Sequence, residues 1–332
     1  MMNENNLQEL GEEMKKLGFG PELVSRMEAH IAGDIKEFAL HDQVLAAKGH
    51  VGIDLHFRQS PTSDLYYLNR LEATRHWGRG LEPGQEYLLV GTARDGAPEV
   101  LARGNSLSGA IETFGEMKGN VELAMGRELE DRMMMARREN GELKYLSEEF
   151  KRDFQTPPLP QSFWLERGRG FSREQAANLV SGRAVYREDL LSREGKPYKA
   201  WVQLDMEAER QGKAHNLPFN HYTDAYGYEL KSVLAEYKLK ELSDPLKLEA
   251  LEASLKNGNR VMVGVEKEGK DAKVFVETSV RYGKLNFFSP TGAPEKREQF
   301  QKVPDVSKVL SGTSREKGQQ QQKETAGPGL GR

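Results

Sequence analysis

The chain has 332 residues, of which 37% are hydrophobic and 30% charged, with a net charge of −3 and no cysteine. That length is enough for two or three domains, and the lack of cysteine excludes disulfides, thiolate metal sites and cysteine nucleophiles. No apolar run approaches the ~18 residues of a membrane span and the start is unlike a secretory signal, so the expectation is a cytoplasmic protein with no membrane partner.

The charge is uneven. Residues 1–150 carry 17 basic and 26 acidic side chains, and residues 151–332 carry 31 and 25. A polyanion therefore meets the second part more readily, although no dense Lys/Arg stripe of a dedicated nucleic-acid binder is present.

Two short helices are expected first. Leu7, Leu10, Met14 and Leu17 follow helical spacing, Pro21 opens the second helix, and Leu23, Met27 and Ile31 continue it to Gly33. In "VGIDLHF" the alternation of Val51, Ile53, Leu55 and Phe57 predicts a strand, and Asp95-Gly96 a hairpin turn. Ser106 or Ser108 is placed to cap a helix through Ile111, Phe114 and Met117.

Residues 121–154 are rich in Glu, Arg and Met and predict a charged connecting helix broken near Asn140-Gly141. Met133, Met134 and Met135 cannot share one helix face, so at least one is expected at the surface or against a partner. "QTPPLPQ" then reads as a stiff linker. Ser172 and Gln175 form a capping box for a helix burying Ala176, Leu179 and Val180, followed by a strand that begins at Gly182–Tyr186 and another through "YKAWVQLD". Helices are expected in "YGYELKSVLAEY" and from Asp244-Pro245 to Asn257-Gly258, then strands at Arg260–Glu266, Ala272–Thr278 and Lys284–Phe288. If Gly269-Lys270 form the turn, Val265 faces Val274 and Val263 faces Val276. The fold class expected is α+β, with small antiparallel sheets packed against helices. Its parts are an N-terminal domain (1–120), a helical connector and Pro-rich linker (121–161), a C-terminal domain (162–303) and a disordered tail (304–332).

Few residues point to chemistry. In "NLVSGRA" the helix precedes the glycine, so Gly182 belongs to a C-terminal cap, where the dipole has the wrong sign for an anion. Arg167, Arg169 and Arg173 surround two glycines just before a helix start and are the candidate anion site. His215, His221 and Asp224 have metal-ligating side chains without metal-site spacing, and no metal or cofactor is expected. On "YKAWVQLD", Trp201 lies among Lys199, Gln203 and Asp205 opposite an apolar face. It is either a stacking platform for bases or a core residue under a covering helix.

The segments "NLVSGRAV", "YREDLLSREGKPYKAWVQLD", "YGYEL", "SLKNGNRVMV" and "VFVETSVRYGKLNFF" resemble an uncharacterised domain-of-unknown-function family of bacterial conjugative and mobile-element proteins. The matching positions include Gly182-Arg183, Trp201, Tyr226-Gly227-Tyr228 and Gly258-Asn259-Arg260; Val280 and Gly283 depart from the pattern. The resemblance implies an accessory module that is more a binder than an enzyme. Its expected partner is single- or double-stranded nucleic acid or a DNA-bound protein, met through Arg183, Lys199, Trp201 and Arg260. A protein–protein adaptor using Met133–Met135, or an enzyme with an unfamiliar site, are the alternatives.

Overall fold

The computed structural model describes residues 3–46, 48–165, 169–192, 194–212, 215–267 and 269–302. Its elements begin with α1 (Glu4–Lys16) and α2 (Pro21–Ala32), which bury Leu10, Met14, Leu23, Val24, Met27 and Ile31 as their spacing requires. The chain continues through β1 (Glu37–Leu45), β2 (His50–Gln59), β3 (Tyr66–His76), β4 (Glu86–Thr92), β5 (Pro98–Gly104), α3 (Leu107–Glu116), β6 (Val121–Gly126), β7 (Met133–Glu139), β8 (Glu142–Leu146), α4 (Lys151–Gln155) and β9 (Gln161–Trp164). Then come α5 (Arg173–Val180), β10 (Val185–Leu191), β11 (Pro197–Leu204), β12 (Phe219–Thr223), α6 (Leu230–Ala235), α7 (Pro245–Lys256), β13 (Val261–Lys267), β14 (Lys270–Ser279), β15 (Lys284–Phe288) and β16 (Pro294–Glu295). The fold is α+β, with four antiparallel sheets among the described residues.

The first sheet has the order β1-β2-β3-β9. Val51, Ile53, Leu55 and Phe57 face one side with Leu40, Leu71 and Phe163, and α1, α2 and α5 cover them in a single core. Because side chains alternate along a strand, His50, Gly52, Asp54 and His56 must line the other side. Since β3 and β9 are antiparallel neighbours, residues 77–160 form an insertion between two adjacent strands. That insertion carries its own sheet, β5-β4-β6-β7-β8, and its own core around Tyr87, Leu107, Phe114, Leu123, Met135 and Phe150.

The helical connector expected over 121–154 is therefore corrected: most of it is strand. Asn140 (φ 52°) and Gly141 (φ 82°) turn β7 into β8, with Glu139 paired to Glu142. Two consecutive positive φ angles are what an Asn-Gly hairpin turn adopts, and this is the signal that helix-rich composition obscured. On β7 Met135 is fully buried and Met133 and Met134 are half-buried, so they offer no exposed cluster.

The β10-β11-β12 sheet is shared between two cores. Val185, Val202 and Leu204 join the first core with Leu10 and Leu55. Ala184, Trp201 and Tyr222 join a second, built with α6, α7 and the β13-β14-β15-β16 sheet around Leu234, Leu255, Val276 and Phe287. The proline-rich stretch thus does not separate two independently cored halves. The β13–β14 hairpin exists, but Val263 pairs with Val274 and Lys267 with Lys270. This register differs by two residues from the expected one, so the same faces stay buried. The expected tail, 304–332, lies outside the described residues. No helix of the described residues is long and apolar enough to cross a membrane.

Candidate functional site

Gly182 ends α5 with φ 80°. Its N–H donates to Leu179 O (2.9 Å) and that of Arg183 to Asn178 O (3.0 Å), the paired bonds of a left-handed helix cap. Gly258 ends α7 in the same way, through Leu255 O (2.9 Å) and, one residue on, Ser254 O (3.1 Å). The two caps meet. Asn178 Nδ2 donates to Asn257 O and Asn259 Oδ1, both at 2.7 Å, while its Oδ1 accepts from Arg183 Nε (3.1 Å) and Nη2. The most distinctive motif residues, "NLVSGR" and "KNGNR", therefore build a joint in which the buried amide of Asn178 has all its hydrogen bonds.

Trp201 is only 4% exposed and packs against the rings of Tyr186 (5.3 Å) and Tyr228 (5.4 Å). Its sheet face is covered, which removes the stacking platform expected there; tertiary packing made the aromatic a core residue. Lys199 is exposed and pairs with Glu188 at 3.2 Å. Arg260 is held by Glu277 at 2.9 Å and stacks on Phe288 at 3.6 Å. The expected anion cluster also does not assemble. Arg167 lies outside the described residues, Arg169 is exposed near Asp189, and Arg173 turns away to Asp42 and Gln43 O. The α5 start is instead closed by its own Ser172–Gln175 box. His221 Nδ1 shares a hydrogen bond of 3.1 Å with the Tyr198 hydroxyl, and His215 and Asp224 are exposed. Among the described residues no His/Cys/Asp/Glu cluster has metal-binding geometry.

Arg183 is an expected residue that reaches a concave surface. Three hollows of about 260, 250 and 370 Å³ follow one another along residues 204–208. The first is bounded by Arg75, Trp77, Leu159 and Arg210 and shares Leu204 and Met206 with the second. The second holds Arg183, Gln203, Asn220, Glu277 and Asn286, and Arg281 opens it to the third beside Tyr226. Large side chains stand exposed along its length: Trp77 (42%), Leu159 (54%), Met206 (54%), Tyr226 (50%) and Tyr282 (67%).

The cations of this groove share one property. Arg75 donates to the carbonyls of His50, His76 and Lys48, and Arg210 to those of Leu159, Pro160 and His215. Arg152 lies 3.5 Å over the Trp77 ring, with Arg75 5.4 Å from it, and Arg281 lies 5.8 Å from the ring of Tyr282. None of Arg75, Arg152, Arg183, Arg210 and Arg281 forms an ion pair with a carboxylate of the described residues. Burial lowers the pKa of Arg75, Arg183 and Arg210, and for Arg183 the charges of Arg260 and Arg75 add to the effect while Glu277 opposes it. The three hollows are thus lined by Arg75, Arg210, Arg183 and Arg281 against Asp205, Glu207 and Glu277, the last already held by Arg260. Sequence reading missed this set because its members come from positions 75, 77, 152, 183, 210 and 281.

No protein-family model, curated protein or solved structure matches this chain.

Proposed function

We propose that this chain is a binding module that holds a single strand of nucleic acid along the groove from Trp77 to Tyr226. The observation that carries the reading is that four arginines lacking carboxylate partners, Arg75, Arg210, Arg183 and Arg281, line the same concave surface as the exposed rings of Trp77, Tyr226 and Tyr282. Guanidinium groups meet phosphates, and aromatic rings and guanidinium planes stack on unpaired bases. Gln203, Asn220 and Asn286 supply amide donors and acceptors for base edges. A cytoplasmic setting within a mobile element, suggested by the sequence resemblance, belongs to the same proposal.

The test is fluorescence polarisation of a labelled oligothymidylate against the full chain. The expected slope of log K against log salt is about −2 to −4, and loss of Arg281 reduces it by about 0.7, one phosphate contact to a single strand. Binding of duplex as tight as of single strand would reject the single-strand reading. No binding at ~50 mM salt would reject nucleic acid altogether and leave a protein partner for the groove.

A further inference from the structure

A second constellation lies on the polar face of the first sheet, separate from the groove's hollows. On that face β2 presents His50, Gly52 and Asp54, β3 presents Thr74 and His76, and β1 presents His41. Ser108, the second residue of α3, and Asp153 of α4 close over one end of it. Asp153 is fully buried and accepts from the N–H groups of Trp77 (3.1 Å) and Gly78 (2.8 Å). Its other oxygen takes the Nδ1–H of His76 at 3.1 Å. A carboxylate can only accept, so this bond fixes the tautomer and leaves the lone pair on His76 Nε2. That nitrogen faces Ser108 Oγ at 3.4 Å.

The burial suits chemistry: His76 is 2% exposed, whereas Ser108 is exposed. Ser108 also stands beside first-turn N–H groups of α3 that have no acceptor within the helix. A Cβ added to Gly52 would sit 3.0 Å from His41 Cε1 and 3.6 Å from His76 Nε2, so glycine is what lets the two imidazoles approach. His41 is bound to Asp54 at 2.7 Å, and its buried Nε2 has no partner among the described residues. His41 and Asn105 also line a hollow of about 470 Å³, together with Leu45, Leu81 and the Arg173–Asp42 pair.

We infer that Ser108 and His76, positioned by Asp153, form a nucleophilic site for carboxylic esters. Ser108 Oγ bonds to the acyl carbon as its proton passes to His76 Nε2. The ester C–O bond breaks, and the leaving alcohol takes that proton. Water then gives a proton to His76 and its oxygen to the acyl carbon. The bond between Ser108 Oγ and the acyl carbon then breaks, the proton returns from His76 to Ser108 Oγ, and the free acid departs.

The full chain is treated with a fluorophosphonate and, separately, with p-nitrophenyl butyrate. The expected results are one phosphonyl adduct, mapped to the peptide containing Ser108, and a p-nitrophenolate release that Ser108→Ala abolishes. Ser108→Ala removes an exposed hydroxyl and leaves the fold intact, and His76→Gln slows labelling by at least ~100-fold. Asp153→Asn moves upfield the downfield N–H resonance of His76. A chain in which His76–Asp153 merely ties together the two ends of the insertion shows that resonance too. Its Ser108 labels no faster than Ser106, and that result overturns the inference.

Discussion

Gly182 and Gly258 have nearly the same conformation but different surroundings, and the pair of alanine substitutions separates two costs. Their φ angles are 80° and 83°, so each Cβ forces the left-handed region at about 1 kcal/mol. A Cβ on Gly182 meets only Met206 Cγ, at 3.7 Å, which is ordinary contact. One on Gly258 lies 2.8 Å from Ala184 O, 2.8 Å from Val185 Cγ1 and 3.0 Å from Asn178 Cβ. Backbone cannot swing aside as a side-chain tip can, so overpacking adds about 1–3 kcal/mol. Gly182→Ala should therefore cost about 1 kcal/mol and Gly258→Ala about 2–4 kcal/mol. Urea unfolding reads both as midpoint shifts at unchanged slope. Equal shifts would refute the claim that the two helix ends are packed against each other.

Other outcomes follow from named contacts. Asn178→Ala leaves Asn257 O and Arg183 short of partners in the joint and should cost about 2–3 kcal/mol, measured in the same assay. Burial, aided by the nearby His76, lowers His50 from 6.5 to about 4. The unfolded chain then binds the extra proton first, so stability is full above pH 6.5 and about 3 kcal/mol is lost as pH falls to 4. A His50→Gln chain should lack that slope, whereas Glu72, held low chiefly by its bond from His56, acts only below the ordinary carboxylate range. Trp201→Ala should cost about 3–5 kcal/mol, while Trp201→Phe, folded, should bind oligothymidylate as the parent does. Tyr282→Ala should leave the unfolding midpoint unchanged and weaken that binding by about 1–3 kcal/mol.

Local signals explain what the sequence revealed. The caps at Gly182 and Gly258, the Ser172–Gln175 box and the alternation of Val51 to Phe57 depend on neighbours within a few residues, and each appears in the structure. The same alternation also located the polar face carrying His50, Gly52 and Asp54, although only its apolar side drew notice. In the inserted sheet the β4–β5 hairpin at Asp95-Gly96 was legible, but β6 to β8 were misread because charged residues on β7 and β8 suit a solvent-facing sheet as well as a helix, and Asn140-Gly141 was the deciding dipeptide. Trp201 shows the limit of strand parity. Parity assigned it to the face opposite Val202 correctly, but only the arrival of α6, α7 and the last sheet decides whether that face is wet. Neither the arginine groove nor the Ser108–His76–Asp153 contact has a local signature, since both join residues more than thirty positions apart.

Whether a single strand lies in the groove that runs past Met206 is read most directly by photocrosslinking. Oligothymidylate carrying 4-thiothymidine is irradiated with the full chain, and the crosslinked peptides are mapped. Crosslinks are expected in the peptides containing Trp77, Met206 and Tyr282, suppressed by excess unlabelled strand. Crosslinks confined to other surfaces, or none at a protein concentration that saturates binding, would contradict a strand in this groove.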